Sequence, residues 1–404
     1  MRLVLNNGLT VEHLHVPGAK AGHFGLAVRA GSSDETSQNE FGLAHFVEHT
    51  LFKGTLRRNS WHIVNRMESV GGELNAFTTK VDTVIYTSFP KGAVVRAVEL
   101  LIDLILNSQF PEREIDKERE VICDEINSYL DSPSDAVYDD FEDLLYENTP
   151  LGHNILGTIE SVRNINSEMC RNWVSTHYHC SNMVAFYAGS LSAESFLKKT
   201  RNFLELIPAG TSIIQIKSAD YPYSHFIQEK RAETHQAHTV MGTALPNLTL
   251  DERMAVVLLT NILGGPGMNS IFNLELRERR GLVYNVESSL SNWRGNSMFT
   301  TYFGCDSADN SKCSDIIVNT INRIANGSIT ARKLLQAKKQ YHGQLILSRE
   351  NIENRITGIA RALLLQGYVL TLEETETLLD KVTCDDIEKM ASRLSDLSRL
   401  TLQP

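Results

Sequence analysis

The sequence predicts an α+β fold with two related domains, each an antiparallel, mixed-edge sheet packed against helices. Three observations support this prediction. A chain of 404 residues exceeds the usual size of one hydrophobic core. One order of elements, a helix, a glycine pair and then a hairpin, occurs at residues 40–89 and again at 251–303. The periodicity breaks between the two, which predicts an N-terminal domain at 1–208, a linker at 209–224 and a C-terminal domain at 225–404.

The N-terminal half begins with strands and continues with helices. Asn7-Gly8 is typical of a hairpin turn, and Gly71-Gly72 is typical of a helix end. Apolar residues repeat at helical spacing along residues 40–52 and 112–130, whereas residues 73–78 and 84–89 read as paired strands. The helix predicted at 40–52 contains His45 and His49.

The C-terminal half repeats the order and then ends in long helices. We expect strands at 239–241, 283–290 and 298–303, and helices at 251–263, 269–279, 331–367 and 372–394. Polar residues interrupt or cap the last two helices.

Charge and composition exclude two classes of partner. The formal charge of −10 does not suit a protein that binds nucleic acid, because phosphate contacts need clustered lysine and arginine. The most apolar stretch, residues 93–106, carries charges at helical intervals, so we expect no membrane span. Six scattered cysteines without a C-x-x-C pair are typical of reduced thiols, and no leader peptide is recognised, so we expect a cytoplasmic protein.

One short motif carries metal chemistry. In His45-Phe46-Val47-Glu48-His49, two imidazoles lie four residues apart on one helix face, where both can bind a single Zn²⁺. Glu48 can then serve as a general base toward the zinc-bound water. The alternative is a structural pair of histidines on an amphipathic helix.

Catalytic zinc usually has a third protein ligand, and the helix at 112–130 offers several. Glu118 and Glu125 are two turns apart on one face, about 10 Å along the axis, so they cannot both bind one ion. Spacing alone does not choose between them. Asp124 and Glu120 rank lower because they point elsewhere.

At these residues the chain resembles the pitrilysin or insulinase family of inverzincin peptidases, which includes insulin-degrading enzyme and mitochondrial processing peptidase. In that family a glutamate ligand follows H-x-x-E-H by about 76 residues, and here 125 − 49 = 76. The resemblance implies that Glu125 is the third ligand of one zinc ion per chain. It also implies that Glu118 supports catalysis from outside the ligand set, and that the fold is of the mitochondrial processing peptidase/LuxS type.

Two further stretches resemble the family. Residues 71–78 are similar to an edge strand that binds extended substrate, which implies substrate contacts for Glu73, Asn75 and Ala76; the alternative is an ordinary internal strand. Residues 276–284 are similar to a segment whose arginine and tyrosine hold the scissile carbonyl and the developing oxyanion, here Arg277 and Tyr284. Without the resemblance, Arg277 would be read as a solvated helix charge.

The resemblance predicts a zinc metalloendopeptidase that cleaves unstructured peptides in a closed chamber. Long family members have four related domains, whereas this chain has two, which implies a homodimer in which Arg277 and Tyr284 complete the partner's zinc site. Two other functions are considered: a noncatalytic peptide-binding or structural subunit, and a zinc hydrolase of small amides. An intact Glu48 and Glu125 speak against the first, and the edge strand with Arg277 and Tyr284 speaks against the second.

Overall fold

A computed structural model describes residues 1–210, 221–293 and 295–404. Its strands are β1 Arg2–Val4, β2 Thr10–His15, β3 Ala21–Val28, β4 Glu73–Thr78, β5 Thr83–Pro90, β6 Met183–Gly189, β7 Ile227–Arg231, β8 Ala237–Pro246, β9 Val283–Trp293, β10 Asn296–Cys305 and β11 Ser398–Gln403. Its α-helices are α1 Leu43–Leu51, α2 Ser60–Glu68, α3 Val94–Asn107, α4 Glu112–Leu130, α5 Pro133–Leu145, α6 Ile159–Asn164, α7 Ser167–His177, α8 Ala193–Leu204, α9 Leu250–Gly264, α10 Asn310–Ala325, α11 Ala331–Ser348, α12 Ile352–Gln366, α13 Leu372–Lys381 and α14 Cys384–Arg393. No helix of the described ranges is long and apolar enough to cross a bilayer.

The chain forms two compact units, and each unit combines three separate stretches of the sequence. The first contains Met1–Ile126, the described part of Asn154–Ile216, and Ser348–Val369. The second contains Asn127–His153, the described part of Lys217–Leu347, and Leu370–Pro404. Helix α5 therefore packs in the second unit and α12 in the first. Most of the linker predicted at 209–224 lies outside the described residues, and that boundary stays a prediction.

The first unit is built on a six-stranded mixed sheet of order β1-β2-β6-β3-β5-β4. Only the β2–β6 pair is parallel among its described pairings. Along β3 the side chains alternate, so that Phe24, Leu26 and Val28 join the main core while Ala27 faces the opposite side. The sheet is thus covered by apolar residues on both faces, and α12 covers the second.

The second unit is built on a five-stranded sheet of order β7-β11-β8-β10-β9, in which the edge pair β7–β11 is parallel. Helices α9, α10 and α14 contribute to its core, as Leu258, Ile317 and Ile387 show by being fully buried. The two mixed sheets packed against helices confirm the predicted α+β class.

Most predicted elements of the first half lie where the sequence placed them. β1 and β2 form the antiparallel hairpin expected around Asn7-Gly8, and Gly8 adopts a φ of 87°, which favours glycine. β4 and β5 pair in antiparallel register, and α4 has the predicted bounds.

The second half differs from the prediction at three helices. The helix predicted at 269–279 spans 271–278 and is π-helical over Asn273–Glu278, after a turn closed by Ser270 N donating to Gly267 O. The helix predicted at 331–367 breaks before Asn351, whose side chain caps α12 by accepting from Asn354 N at 2.9 Å. The helix predicted at 372–394 breaks at Thr383, which forms a capping box with Asp386.

An ion pair fastens α12 to the sheet of the first unit. Arg361 donates to both carboxylate oxygens of Asp82, at 2.5 and 2.8 Å, and its guanidinium lies 5.4 Å from the ring centre of Phe77 on β4. Asp82 is fully buried and also accepts from Thr79 Oγ1. A buried carboxylate of this kind depends on its cationic partner, because desolvation is costly for an unpaired charge.

We expect Arg361→Met to lower the free energy of unfolding by about 2–3 kcal/mol at neutral pH, since it leaves Asp82 buried without a counter-ion. Urea unfolding followed by circular dichroism measures this change. Arg355→Met on the same helix is the matched control, because Arg355 is exposed. Equal stability of the two variants would contradict the prediction.

Candidate metal centre

Helix α1 holds the two motif histidines in place through its buried face. Leu43, Phe46, Val47 and Leu51 pack into the core of the first unit. The carboxylate of Glu35 accepts hydrogen bonds from the backbone N–H groups of Gly42 and Ala44, at 3.0 and 2.9 Å. These are N–H groups at the start of the helix that lack an intrahelical partner, so Glu35 caps the helix from an earlier loop.

His45, His49 and Glu125 converge at one point. Their potential ligand atoms all lie within 4.8 Å of one another. Oε2 of Glu125 is 3.9 Å from Nε2 of His45 and 3.6 Å from Nε2 of His49. Glu125 lies on α4, so the centre joins two helices of the first unit.

The donor set fits zinc. Two imidazoles and one carboxylate are a common protein ligand set of catalytic zinc. Ligand atoms about 2.1 Å from a tetrahedral zinc ion are separated by roughly 3.4 Å, close to the two carboxylate–imidazole distances. Nε2 is the nitrogen of His45 that faces Glu125, at 3.9 Å, while its Nδ1 is buried without a hydrogen-bond partner among the described residues. The structure therefore brings together the ligand set that the resemblance implied.

Glu118 lies beside this set and not within it. Its Oε2 accepts from Nδ1 of His49 at 3.3 Å, and its Oε1 forms an ion pair with Nζ of Lys53 at 2.7 Å. The hydrogen bond places the proton of neutral His49 on Nδ1 and directs Nε2 towards Glu125. Of the other acids considered on α4, Asp124 and Glu120 are exposed and outside the cluster.

The pKa values of the site reflect burial and charge together. Burial lowers the pKa of His45 to about 3, and the adjacent His49 acts in the same direction. Burial also lowers the pKa of His49, but the hydrogen bond to Glu118 and the surrounding carboxylates outweigh it, so the net pKa is raised. Burial raises the pKa of Glu118, yet the hydrogen bonds with His49 and Lys53 bring it below its ordinary value.

We expect zinc affinity to fall as the pH is lowered through the raised pKa of His49, because a protonated imidazole cannot bind metal. His49 is then the titrating ligand, whereas the lowered pKa of His45 keeps that imidazole neutral. Competition with a chromogenic chelator at a series of pH values measures the midpoint. Glu118→Gln removes a cause of the raised pKa and should move the midpoint to lower pH; an unchanged midpoint would contradict this assignment.

Glu48 is held by a neighbour on β4. Thr78 Oγ1 donates to Oε2 of Glu48 at 2.6 Å. Burial raises the pKa of Glu48, while the bond from Thr78 and the charge of His49 lower it less strongly. A base with a raised pKa is better matched to proton transfer near neutrality.

The segment predicted to bind substrate includes a sheet edge. β4 lies at the end of the six-stranded sheet and pairs only with β5 among the described strands. Glu73 and Asn75 are exposed, and Ala76 is half-buried. The edge position excludes the alternative of an internal strand, while the substrate contacts stay a prediction.

Arg277 and Tyr284 belong to the second unit. Arg277 lies in the π-helical segment with Nε 4.0 Å from a carboxylate oxygen of Glu278, and Tyr284 on β9 has 82% of its surface exposed. Both side chains are accessible, and their action on a zinc site stays a prediction.

Three residues of the centre were missed by sequence reasoning: Thr78, Lys53 and Glu35. Thr78 is the last residue of the stretch that resembles the family's edge strand. The sequence therefore drew attention to this residue but did not predict its hydrogen bond to Glu48. Lys53 follows His49 by four residues in the sequence. This spacing could have suggested that the two side chains contact the same acid, Glu118. Glu35 gave no local signal because its contact with α1 is made by a loop.

Comparison with known proteins agrees with this geometry. The sequence model of the family described as Insulinase (Peptidase family M16) matches residues 10–159, which include the metal centre. The model described as Peptidase M16 inactive domain matches residues 164–341, which include Arg277 and Tyr284. The two matches together span most of the chain.

Relatives and solved structures of similar length are also found. The uncharacterized zinc protease YmxG of Bacillus subtilis is 29% identical over 98% of this chain and 93% of its own length. An uncharacterized zinc protease of Mycobacterium leprae is 29% identical over 97% and 88%, respectively. A protease from Helicobacter pylori has the same fold, with a TM-score of 0.90 at 20% identity over 100% of this chain and 99% of that one. A putative M16-like peptidase from Alicyclobacillus acidocaldarius gives a TM-score of 0.84 at 20% identity, over 100% and 98%. The chain therefore belongs to peptidase family M16, the insulinase family.

Proposed function

We propose that this protein is a zinc metalloendopeptidase that hydrolyses unstructured peptides and short polypeptides. The observation that carries the proposal is the convergence of His45, His49 and Glu125 next to the carboxylate of Glu48. Glu48 is close enough to His49 and Glu125 for their charges to act on its pKa, and it is not one of the three grouped ligands. A scaffold protein would have no need for such a base.

Each residue has a distinct task in the proposed reaction. His45, His49 and Glu125 would hold a zinc ion, which would supply Lewis-acid chemistry towards a water molecule and the carbonyl of the scissile bond. Glu48 accepts a proton from the attacking water and delivers it to the leaving amine, while Thr78 keeps its carboxylate in position. Glu118 fixes the orientation of His49, and Arg277 and Tyr284 donate hydrogen bonds to the developing oxyanion.

The edge strand β4 suits an extended peptide. The backbone N–H and C=O groups on its outer side are unpaired in the sheet, so a peptide can add to it as a further strand. Main-chain bonds of this kind impose little sequence preference. We propose that Glu73, Asn75 and Ala76 line this track, and that folded proteins are excluded because they cannot present an extended segment.

We further propose a cytoplasmic homodimer with one Zn²⁺ per chain. Among the described residues there is one group that could hold a metal ion, with Glu48 beside it in the sequence, and Arg277 and Tyr284 lie on the other unit. A dimer of two such chains would enclose substrate between four domains and pair each zinc site with the partner's Arg277 and Tyr284. If the chain is instead a noncatalytic subunit, we expect it to cleave no peptide by itself.

Cleavage of a quenched, unstructured peptide tests the peptidase proposal. We expect cleavage by the zinc-loaded protein, loss of cleavage after treatment with a chelator, and recovery when Zn²⁺ is returned. A folded protein of similar amino-acid composition should resist cleavage. A zinc-loaded, folded protein that cleaves no peptide under any of these conditions would favour the noncatalytic subunit.

Mixing two inactive variants tests the composite site. In Glu48→Gln chains the base is lost, and in Arg277→Ala chains the oxyanion donor is lost. If Arg277 acts on the partner's zinc site, a mixed dimer contains one intact site, and mixing restores activity that neither variant has alone. If Arg277 acts within its own chain, or the protein is a strict monomer by size exclusion with full activity, mixing restores nothing.

A further inference from the structure

A cavity of about 450 Å³ lies in the second unit, and none of the residues assigned a role above lines it. Its walls come from the ends of α9 and α10, the beginning of α11, and the turn that leads into the π-helical segment. This volume falls within the range of pockets that bind small molecules.

The floor of the cavity is apolar. Ile262, Ile324, Ile329 and Ala337 line it, and Ile324 and Ile329 are almost completely buried. An alkyl chain of a few carbons could therefore lose its contact with water on binding there.

One wall is fixed by a reciprocal amide pair. Asn269 Nδ2 donates to Gln340 Oε1 at 2.9 Å, and Gln340 Nε2 donates to Asn269 Oδ1 at 3.2 Å. A Cβ on Gly267 would come within 2.5 Å of Asn269 Oδ1 and 2.8 Å of Gln340 Nε2, so a larger residue there would displace these side-chain ends. The amide pair links the turn to α11 at one wall of the cavity.

The rim carries an excess of positive charge. Arg279, Arg323 and Lys333 line the cavity with one acid, Glu275, which gives 3 − 1 = +2 in a chain whose net charge is −10. Glu275 already forms ion pairs with Arg279 and Arg280. Neither Arg323 nor Lys333 has an ion pair within the part of the chain that the structure describes.

We propose that this cavity binds a small carboxylate that carries an apolar group of about four to six carbons. The carboxylate would lie between Arg323 and Lys333, and the apolar group would cover the isoleucines of the floor. Two sources share this chemistry: the C-terminal residue of a peptide and a short fatty acid.

Matched probes test the charge requirement and separate the sources. N-acetyl-leucine represents a peptide C-terminus and hexanoate a fatty acid; N-acetyl-leucinamide and hexanamide are their uncharged counterparts. Isothermal titration on the full, zinc-loaded chain should show binding of at least one carboxylate, at least about tenfold tighter than its counterpart. The tighter of the two carboxylates identifies the source. Equal binding of N-acetyl-leucine and its amide, and of hexanoate and hexanamide, would overturn the proposal.

Variants locate the binding. Arg323→Gln and Lys333→Gln should each weaken carboxylate binding several-fold, and Gln336→Trp, at an exposed position on the cavity rim, should block it. Lys312→Gln is the matched control, because Lys312 is an exposed lysine outside the cavity that is paired with Asp309. A carboxylate could instead bind the zinc ion itself. Binding that survives Gln336→Trp but disappears with a chelator would assign it to the metal centre and overturn the cavity site.

Discussion

Replacing Glu48 by glutamine is expected to reduce peptide cleavage by about two to four orders of magnitude while the zinc content stays at one ion per chain. The amide is nearly isosteric with the carboxylate and can still accept the hydrogen bond from Thr78, but it cannot take a proton from water. Glu48 is not among the three grouped ligands, so metal binding should persist. Initial rates on a quenched peptide and metal analysis of the same sample give both quantities.

The pH profile adds a second observation to this experiment. In the metal-free chain burial raises the pKa of Glu48, whereas the charge of a bound zinc ion would act against this shift. The wild-type rate should fall in acid as Glu48 becomes protonated, because the protonated acid cannot act as a base. Glu120→Gln, an exposed change on α4, is the control and should leave the rate unchanged. A Glu48→Gln variant that cleaves at the wild-type rate with zinc bound would show that another group is the base.

The second large effect separates the two glutamates of α4. Glu125→Gln should remove a ligand and lower zinc affinity far more than Glu118→Gln, for which we expect a loss of about 10- to 100-fold in metal affinity or activity. The difference arises because Glu125 faces both imidazoles directly, whereas Glu118 reaches only the Nδ1 side of His49. Zinc dissociation constants from chelator competition measure both variants.

Asp124→Asn controls for the loss of a negative charge near the centre, since Asp124 is the exposed neighbour of Glu125. It should bind zinc as the wild type does. If Glu118→Gln lost zinc more completely than Glu125→Gln, the two roles would have to be exchanged, with Glu118 as the ligand and Glu125 as the supporting residue.

Sequence spacing predicted the part of the metal centre that lies within one helix. His45 and His49 are on one face of a helix whatever the rest of the chain does, because i and i+4 are always neighbours there. The choice between Glu118 and Glu125 depends on which turn of α4 faces α1, and this is set by tertiary packing that spacing does not report. The family resemblance supplied that choice.

The fold shows the same division between local and distant causes. The hairpins and the bounds of α4 follow from turn residues and periodicity close at hand. The packing of α12 against the first sheet depends on contacts between segments far apart in the chain, and the cap that Glu35 places on α1 depends on the path of the loop between them. Such contacts have no periodic signature. Polar residues indicated that the last two helices are interrupted or capped, but periodicity did not place the breaks at Asn351 and Thr383, because helical residues continue on both sides.

The position of α12 in the sequence also affects the order in which the protein can fold during synthesis. Asp82 and Arg361 are 279 residues apart, so at about 5–20 residues per second a ribosome needs roughly 14–56 s to make the second after the first. During this interval the apolar face formed by Ala27, Val84 and Phe186 lacks the helix that covers it. A nascent chain ending near residue 208 would therefore expose a hydrophobic sheet face, and we expect it to need a chaperone until α12 leaves the ribosome.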